Sequence, residues 1–146
     1  MRQIIKYQSS YDHYASDACV IWCFDARFSR LLEKFIAEKE LKNIDLIKIA
    51  GGAKVFATAE IETEEEYFRG QIEKSVKLHH TRKIILMVHQ NCGAYGKTFD
   101  DVASEENFYK TELENAKKSV ETFLASKNLQ IPIELYYATF EGLYQV

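Results

Sequence analysis

Apolar residues along this chain alternate between short continuous runs and stripes with helical spacing. The run from Ala18 to Phe24 is almost entirely apolar, which is typical of a strand that is covered on both faces. After it, apolar residues recur at the i, i+3, i+4 and i+7 positions that form one face of a helix. They are Phe28, Leu31, Leu32, Phe35 and Ile36. The pattern therefore predicts a strand followed by an amphipathic helix.

The same alternation continues toward the C terminus. Three further apolar runs predict strands at Ile44 to Ile49, Lys83 to Val88 and Ile133 to Phe140. Between these runs, apolar stripes predict one helix that ends near His79 and a long helix from about Ser104 to Lys127. Thr63 and Glu66 have the spacing of a capping box, which predicts the start of the first of these helices.

Four strands that alternate with helices predict the fold class. We expect an α/β fold with a mostly parallel four-stranded sheet and helices on both faces. No linker or internal repeat divides the 146 residues, so residues 1–146 are expected to form a single domain. In such sheets, ligands bind beyond the carboxyl ends of the strands, where the strand order reverses. Functional residues are therefore expected directly after the predicted strands.

Composition and charge limit the partners of the chain. It has 19 basic and 22 acidic residues and a net charge of −3, which gives no electrostatic reason to expect nucleic acid or an anionic membrane as partner. The longest apolar runs are far below the ~20 residues of a membrane span. The first residues lack the pattern of a secretory signal, so we expect a cytoplasmic protein. Three cysteines, an odd number, favour metal binding or thiol chemistry over a disulfide framework.

Two segments that follow predicted strands contain metal-ligating residues. Cys23 ends the first predicted strand, and His89 and Cys92 follow the third. A histidine and a cysteine at this spacing are usually a loop residue and a buried free thiol, but Cys23 changes that assessment. If the first and third strands are neighbours, the three side chains converge, and two thiolates with one imidazole favour zinc. Three protein ligands leave one position open, as in catalytic zinc sites.

Cys19 is the competing candidate for a fourth ligand. It shares a strand face with Cys23, but the two residues lie about 13 Å apart at ~3.3 Å per residue. Cys19 is therefore expected to be a core residue.

Asp25 and Arg27 follow Cys23 closely enough to act on water at the same metal. A carboxylate at this place could accept a proton from the water or orient it, and it could also occupy the open metal position. A guanidinium that binds Asp25 in a bidentate fork would hold the carboxylate off the metal and keep it ionised. The alternative is a surface ion pair on a turn, which contributes little to stability.

The motifs C-x-D-x-R, A-G-G and H-x-x-C-G, in this order, resemble the signature of the β-class carbonic anhydrases, especially their short members. The resemblance extends from about Ala18 to Phe140. It implies a β-carbonic-anhydrase-like fold and a gating dyad of Asp25 and Arg27. The zinc ligands that it implies are Cys23, His89 and Cys92.

Three glycines are candidates for the substrate pocket. Gly51 and Gly52 match the family's second active-site loop, where small residues let the backbone approach the pocket, although turn glycines after a strand explain them equally well. Gly93 could expose its backbone N–H to a thiolate or a bound anion. The chain departs from the family pattern at Lys48 and Ile49, where the family commonly has Arg-Asn.

The resemblance implies a carbonic anhydrase, a zinc lyase in which zinc-bound hydroxide converts carbon dioxide (CO2) reversibly to bicarbonate. It also implies a homodimer or a larger homo-oligomer. Two alternatives stay open. The same zinc site could hydrolyse carbonyl sulfide (COS) or carbon disulfide (CS2), which are linear like CO2, or the chain could be a zinc-binding regulatory module without catalysis. A nucleotide-binding module is disfavoured, because no glycine-rich phosphate loop follows the first strand.

Overall fold

The computed structural model describes all 146 residues and contains one sheet of five strands. The strands are β1 (Ala18–Cys23), β2 (Ile44–Ile49), β3 (Ile84–His89), β4 (Ile133–Ala138) and β5 (Leu143–Gln145). The order in the sheet is β2-β1-β3-β4-β5, and only the β4–β5 pair is antiparallel. The predicted α/β fold with a mostly parallel sheet is confirmed.

The fifth strand is a difference from the four strands that the apolar pattern predicts. The strand that was predicted to extend to Phe140 ends at Ala138 in the structure. The backbone N–H of Thr139 then donates a hydrogen bond of 2.7 Å to the carbonyl of Gly142, which reverses the chain. Leu143 then pairs with Ala138. Because β5 has only three residues and none of them is fully buried, it gives no apolar run in the sequence.

Four helices and two short 3-10 turns connect the strands. The helices are α1 (Ser29–Glu38), α2 (Lys54–Ala57), α3 (Glu62–His79) and α4 (Val102–Ser126), and the turns span Ala26–Phe28 and Gly93–Tyr95. Helix α2 was not predicted, since four residues are too few to show a helical period. None of the helices combines the length and the apolar character that a membrane span requires.

The predicted capping box at the start of α3 is wrong. The helix begins at Glu62, and Ile61 at the N-cap position makes no side-chain hydrogen bond. Thr63 therefore lies inside the helix and does not cap it. The first turn contains Glu62, Glu64 and Glu65, whose negative charges are stabilised by the positive end of the helix dipole.

Helices cover both faces of the sheet, as predicted. Residues of α2, α3 and α4 pack on one face around Ile21 and Leu86, whereas α1 packs on the other face around Trp22 and Met87. Successive residues of β1 thus belong to two different cores, and Ile21 and Trp22 are both completely buried. This double burial explains why β1 is apolar throughout its length.

The sheet order creates a crevice between β1 and β3. The chain leaves β1 for β2 on one side and then crosses to β3 on the other side, so the strand order reverses at β1. The carboxyl ends of β1 and β3, at Cys23 and His89, face this crevice. Ligands of open α/β sheets bind at such a reversal.

Candidate metal centre

Three side chains that can ligate a metal converge at the carboxyl ends of β1 and β3. Cys23 is the last residue of β1, His89 is the last residue of β3, and Cys92 lies in the loop that follows. Their ligand atoms all lie within 4.8 Å of one another, and all three residues are buried. The neighbouring positions of β1 and β3 thus bring these three residues together in space.

His89 is oriented with one ring nitrogen toward the two cysteines. Its Nδ1 lies 2.8 Å from the carbonyl oxygen of Gln90, so Nδ1 donates its hydrogen there and the Nε2 lone pair stays available. Nε2 is buried and has no hydrogen-bond partner. A buried acceptor without a partner is costly, and a metal ion would satisfy it. Metal-ligating histidines usually bond a carbonyl or a carboxylate through the other ring nitrogen in this way.

The two thiols also fit a cation. Cys23 and Cys92 are 3% and 4% exposed. The hydrogen bond from Cys92 lowers the pKa of Cys23, and His89 and backbone groups of Asp25 and Gly51 act in the same direction. The pKa of Cys92 is raised by this bond to Cys23 and by burial. The shifts are opposite because two thiolates this close repel each other, and a bound cation would stabilise both of them.

Cys19 does not belong to this cluster. It is completely buried in the core between the sheet and α3, and burial raises the pKa of its thiol to about 12. Its predicted role as a core residue is confirmed.

Asp25 and Arg27 form the predicted bidentate pair. Nε of Arg27 lies 3.0 Å from both carboxylate oxygens of Asp25, and Nη2 lies 2.6 Å from Oδ2. These hydrogen bonds from Arg27 lower the pKa of Asp25 to about 2, although partial burial opposes the shift. Oδ2 of Asp25 is 3.9 Å from Nε2 of His89. An ionised carboxylate is therefore fixed beside the three candidate ligands.

Comparison with known sequences then decides the family. A family model described as "Putative carbonic anhydrase" matches residues 14–144. The chain belongs to this carbonic anhydrase family. Among curated proteins, none matches the sequence.

Solved structures agree with the family at the level of the fold. β-Carbonic anhydrase isoform I of the protozoan Trichomonas vaginalis is 15% identical, with a TM-score of 0.59 over 96% of this chain and 87% of that chain. One of two tetrameric β-carbonic anhydrases from the ascomycete Sordaria macrospora is 10% identical, with a TM-score of 0.54 over 91% and 81%. A carbon disulfide hydrolase is 16% identical, with a TM-score of 0.53 over 90% and 79%. At these identities the similarity shows the fold alone.

The glycines of this carbonic anhydrase family member lie in different environments. Gly52 has a φ of +58°, and a Cβ atom there would lie 2.4 Å from the carbonyl oxygen of Met87 and 3.1 Å from the backbone nitrogen of Cys23. Gly51 has a φ of +76°, and its Cβ would lie 2.8 Å from Cβ of Lys54. Gly93 has open space around it. The first two glycines therefore allow the loop after β2 to pack closely, and the pocket role of all three stays a prediction.

A cavity of about 470 Å³ is bounded by Phe24, which follows Cys23 in the chain, and by Ala94, which lies two residues after Cys92. Its apolar wall includes Phe24, Ile49, Val55 and Phe68, whereas Gly51, Gly52 and Gly93 do not line it. Charged residues line it as well, namely Lys48, Lys54, Glu60 and Glu64, whereas Cys23, His89 and Cys92 do not.

Sequence reasoning missed several residues that contact the Asp25–Arg27 pair. Nη1 of Arg27 donates to Oδ1 of Asn91, and Nη2 donates to the backbone carbonyl of Asn91, both at 3.0 Å. The guanidinium carbon also lies 5.4 Å from the ring centre of Phe140 and 5.8 Å from that of Phe28. The residue types alone gave no signal for these contacts, because they join three loops that only the strand order brings together.

Gln90, the residue that follows β3, makes two hydrogen bonds to the segment at the end of β4. Its Oε1 accepts a hydrogen bond of 3.3 Å from the backbone N–H of Phe140. Its own backbone N–H donates to the carbonyl of Ala138 at 2.7 Å. Gln90 thus ties the end of β3 to the loop that carries Phe140.

Proposed function

We propose that this protein is a zinc-dependent carbonic anhydrase that interconverts CO2 and bicarbonate. The observation that supports it most is the combination of two features at one place. A buried Cys23–His89–Cys92 cluster has an Nε2 atom without a partner, and the Asp25–Arg27 pair lies next to that atom at 3.9 Å. A metal that served only to stabilise the fold would have a fourth protein ligand, and the hydrogen bonds from Arg27 favour an Asp25 carboxylate that is held off that position.

Zinc is the metal that we propose for Cys23, His89 and Cys92. Two thiolates and one imidazole form a soft ligand set, and magnesium or calcium would prefer oxygen ligands. When bound, zinc supplies Lewis acidity, which makes water a better nucleophile near neutral pH.

Asp25 and Arg27 have separate tasks in this proposal. The carboxylate of Asp25 accepts a hydrogen bond from the attacking water and so orients its lone pair toward the carbon of CO2. Arg27 holds this carboxylate at three short hydrogen bonds, which prevents it from taking the fourth ligand position itself. In the balanced reaction, the water oxygen forms a bond to carbon, one C=O bond becomes a C–O bond of bicarbonate, and one proton leaves to solvent or buffer.

The apolar part of the cavity that Phe24 and Ala94 bound is compatible with CO2 as the substrate. CO2 is small and has no charge or dipole, and the wall of Phe24, Ile49, Val55 and Phe68 matches these properties. COS and CS2 are also linear and apolar, and the similarity in fold to a carbon disulfide hydrolase makes them the second candidate substrates.

A single set of measurements tests the function. The purified protein is analysed for metal content, and its zinc form is assayed by stopped flow with CO2 and for turnover of COS and CS2. We expect one zinc per chain and rapid CO2 hydration that is absent from Cys92→Ser. Turnover of CS2 or COS with little CO2 hydration would favour the second candidate. Stoichiometric zinc without turnover of any of the three would instead identify a non-catalytic zinc-binding module.

We further propose that the protein forms a homodimer or a larger homo-oligomer. Apolar side chains of the N-terminal arm do not pack on the body of their own chain, and Ile4 and Ile5 are each 78% exposed, Tyr7 83% and Tyr11 95%. Such exposure of large apolar groups marks an interaction surface. Size-exclusion chromatography with light scattering should give at least twice the mass of one chain. Removal of residues 1–13 should lower the number of chains per particle.

The cytoplasm is the compartment that we propose. All three cysteines are free and buried, and thiolate ligands persist where the surroundings are reducing. Fractionation of cells that express the native protein should recover it with cytoplasmic markers, and recovery with a secreted fraction would contradict the proposal.

A further inference from the structure

Asn91 contacts Arg27 with both its side chain and its backbone. Oδ1 of Asn91 accepts from Nη1 of Arg27, and the carbonyl oxygen of Asn91 accepts from Nη2, each at 3.0 Å. The other face of the guanidinium is bound to Asp25. Asn91 therefore accepts hydrogen bonds from two of the three N–H groups of the guanidinium that Asp25 leaves free.

These contacts determine where the guanidinium points. The side chain of Arg27 is 46% exposed, so burial does not fix its position. A long and partly exposed side chain that is bound at one partner can swing together with that partner. Binding at a second, independent partner removes this freedom. Asn91 thus contributes to fixing the guanidinium, together with the rings of Phe28 and Phe140. The guanidinium in turn binds Asp25, which also accepts a hydrogen bond of 2.9 Å from the backbone N–H of Arg27.

Asn91 makes these contacts from an uncommon backbone conformation. Its φ is +53°, in the left-handed region that few residues other than glycine adopt, although asparagine tolerates it better than most. In this conformation, its carbonyl group and its side chain reach the same guanidinium. A group outside the loop that accepts a hydrogen bond from the backbone N–H of Asn91 would stabilise this conformation.

Glu105 is that group. It lies in the first turn of α4, it is only 9% exposed, and its Oε1 accepts a hydrogen bond of 2.6 Å from the backbone N–H of Asn91. The positive end of the α4 dipole stabilises a carboxylate at this place. A buried carboxylate on a separate element therefore anchors the loop between His89 and Cys92.

We propose that Asn91 and Glu105 are positioning residues that act through Arg27 on Asp25. Glu105 stabilises the left-handed backbone of Asn91, and Asn91 holds Arg27. Arg27 in turn holds Asp25 beside the three candidate metal ligands. This inference rests on the proposed function, because it assigns the network to the orientation of Asp25 during CO2 hydration.

The first test replaces Asn91 by glycine. Gly adopts a positive φ without strain, so Asn91→Gly removes the side-chain acceptor and leaves the loop able to fold. Asn128→Gly is the matched control, because Asn128 also has a left-handed backbone, with a φ of +56°, but lies beyond the C-terminal end of α4. Asn91→Asp is the rescue variant, since it keeps an oxygen acceptor for Arg27.

Two readouts separate a positioning role from a structural one. In the zinc form, Asn91→Gly should lower kcat for CO2 hydration roughly 10- to 100-fold with KM unchanged, because a small misplacement of a catalytic group has an effect of this size. In the metal-free protein, water exchange of the Arg27 Nε–H, measured by 15N NMR, should accelerate about 10-fold. Asn128→Gly should match the wild type in both readouts, and Asn91→Asp should stay within about 3-fold of it.

The second test addresses Glu105. Glu105→Ala removes the acceptor of the Asn91 N–H and should change both readouts in the same direction as Asn91→Gly. Glu106→Ala is the control, because Glu106 occupies the next position of α4 and pairs with Lys110 at the surface. Equal results for Glu105→Ala and Glu106→Ala would remove Glu105 from the network.

The outcomes distinguish this inference from the proposed function. If the wild type hydrates CO2 and Asn91→Gly retains full kcat and normal Arg27 exchange, the positioning role is wrong while the function stands. If the zinc-loaded wild type does not hydrate CO2, the function is wrong. In that case, unchanged Arg27 exchange in Asn91→Gly would also show that Asn91 does not fix Arg27.

Discussion

Replacing Gly52 by alanine tests how closely the loop after β2 packs against the strands that carry the candidate metal ligands. The backbone of Gly52 has a φ of +58°, and a Cβ atom would approach the carbonyl oxygen of Met87 to 2.4 Å. That carbonyl accepts a hydrogen bond of 3.0 Å from the backbone N–H of Ala53. The nearest atoms, the carbonyl oxygen of Met87 and the backbone nitrogen of Cys23, both belong to the backbone of buried residues. No flexible side chain can therefore move away to make room.

The magnitude follows from two contributions. The left-handed conformation costs a residue with a Cβ atom about 1–2 kcal/mol. Relief of the clash with Met87 requires the loop to move, which breaks the hydrogen bond from Ala53 and exposes or strains the buried carbonyl, at about 1–3 kcal/mol. We therefore expect Gly52→Ala to lower the free energy of unfolding by about 2–5 kcal/mol, and Tm by roughly 5–20 °C for a chain of this length.

Two other glycines separate these contributions. Gly96 also has a positive φ, +59°, but a Cβ atom there meets nothing within 4 Å, so Gly96→Ala should show the conformational cost alone. Gly93 has neither feature, and Gly93→Ala should leave stability unchanged or raise it by up to about 1 kcal/mol.

Urea and thermal unfolding of the metal-free variants provide the assay. From the most to the least stable variant, the expected order is Gly93→Ala, Gly96→Ala and Gly52→Ala. Equal stability of Gly52→Ala and Gly96→Ala would refute the close approach to Met87. Gly52→Ala should also weaken zinc binding, because its Cβ lies 3.1 Å from the backbone nitrogen of Cys23.

Three further predictions concern the site and the opposite end of the sheet. Cys92→Ser should abolish zinc binding and CO2 hydration together, as metal analysis and stopped flow would show; full zinc content would remove Cys92 from the ligand set. Asp25→Asn should retain zinc but lose about 10²–10⁴-fold in hydration rate, the usual contribution of a positioned acid–base group; an unchanged rate would contradict its role. Burial by itself raises the pKa of Asp45, but hydrogen bonds outweigh it and the net pKa lies below the usual 3.8. The stability from Asp45 is therefore present above about pH 4 and lost as the pH falls below it. Urea unfolding from about pH 6 to pH 3 should show a weaker loss for Asp45→Asn, and equal slopes would refute the linkage. The donors of these bonds are Tyr14, Ser75 and His79.

The sequence alone predicted the elements that local pattern determines. The completely buried β1 was evident as a continuous apolar run, and α1 and α4 were evident from helical spacing. The elements that the sequence did not predict are short, and the boundary that it predicted wrongly lies at the start of a helix. Strand β5 and helix α2 are too short for a period to emerge, and the true start of α3 at Glu62 depends on the preceding backbone more than on the Thr63–Glu66 spacing.

The candidate ligands could be named from the sequence, because two cysteines and a histidine at predicted strand ends are visible one segment at a time. Their convergence was conditional on β1 and β3 being neighbours, and strand order is a property of the whole sheet. The carbonic anhydrase resemblance supplied the expectation, and the structure supplied the distances.

Only the tertiary structure decided what surrounds those ligands. Arg27 and Asn91 are separated by 64 positions in the chain, and Asn91 meets Glu105 only because α4 packs against the end of β3. Hydrophobic periodicity indicates which face of a helix or strand is buried, because each residue's preference for burial depends on its own side chain. It contains no information on which distant polar groups will meet, because those contacts arise from the packing of elements that have already formed.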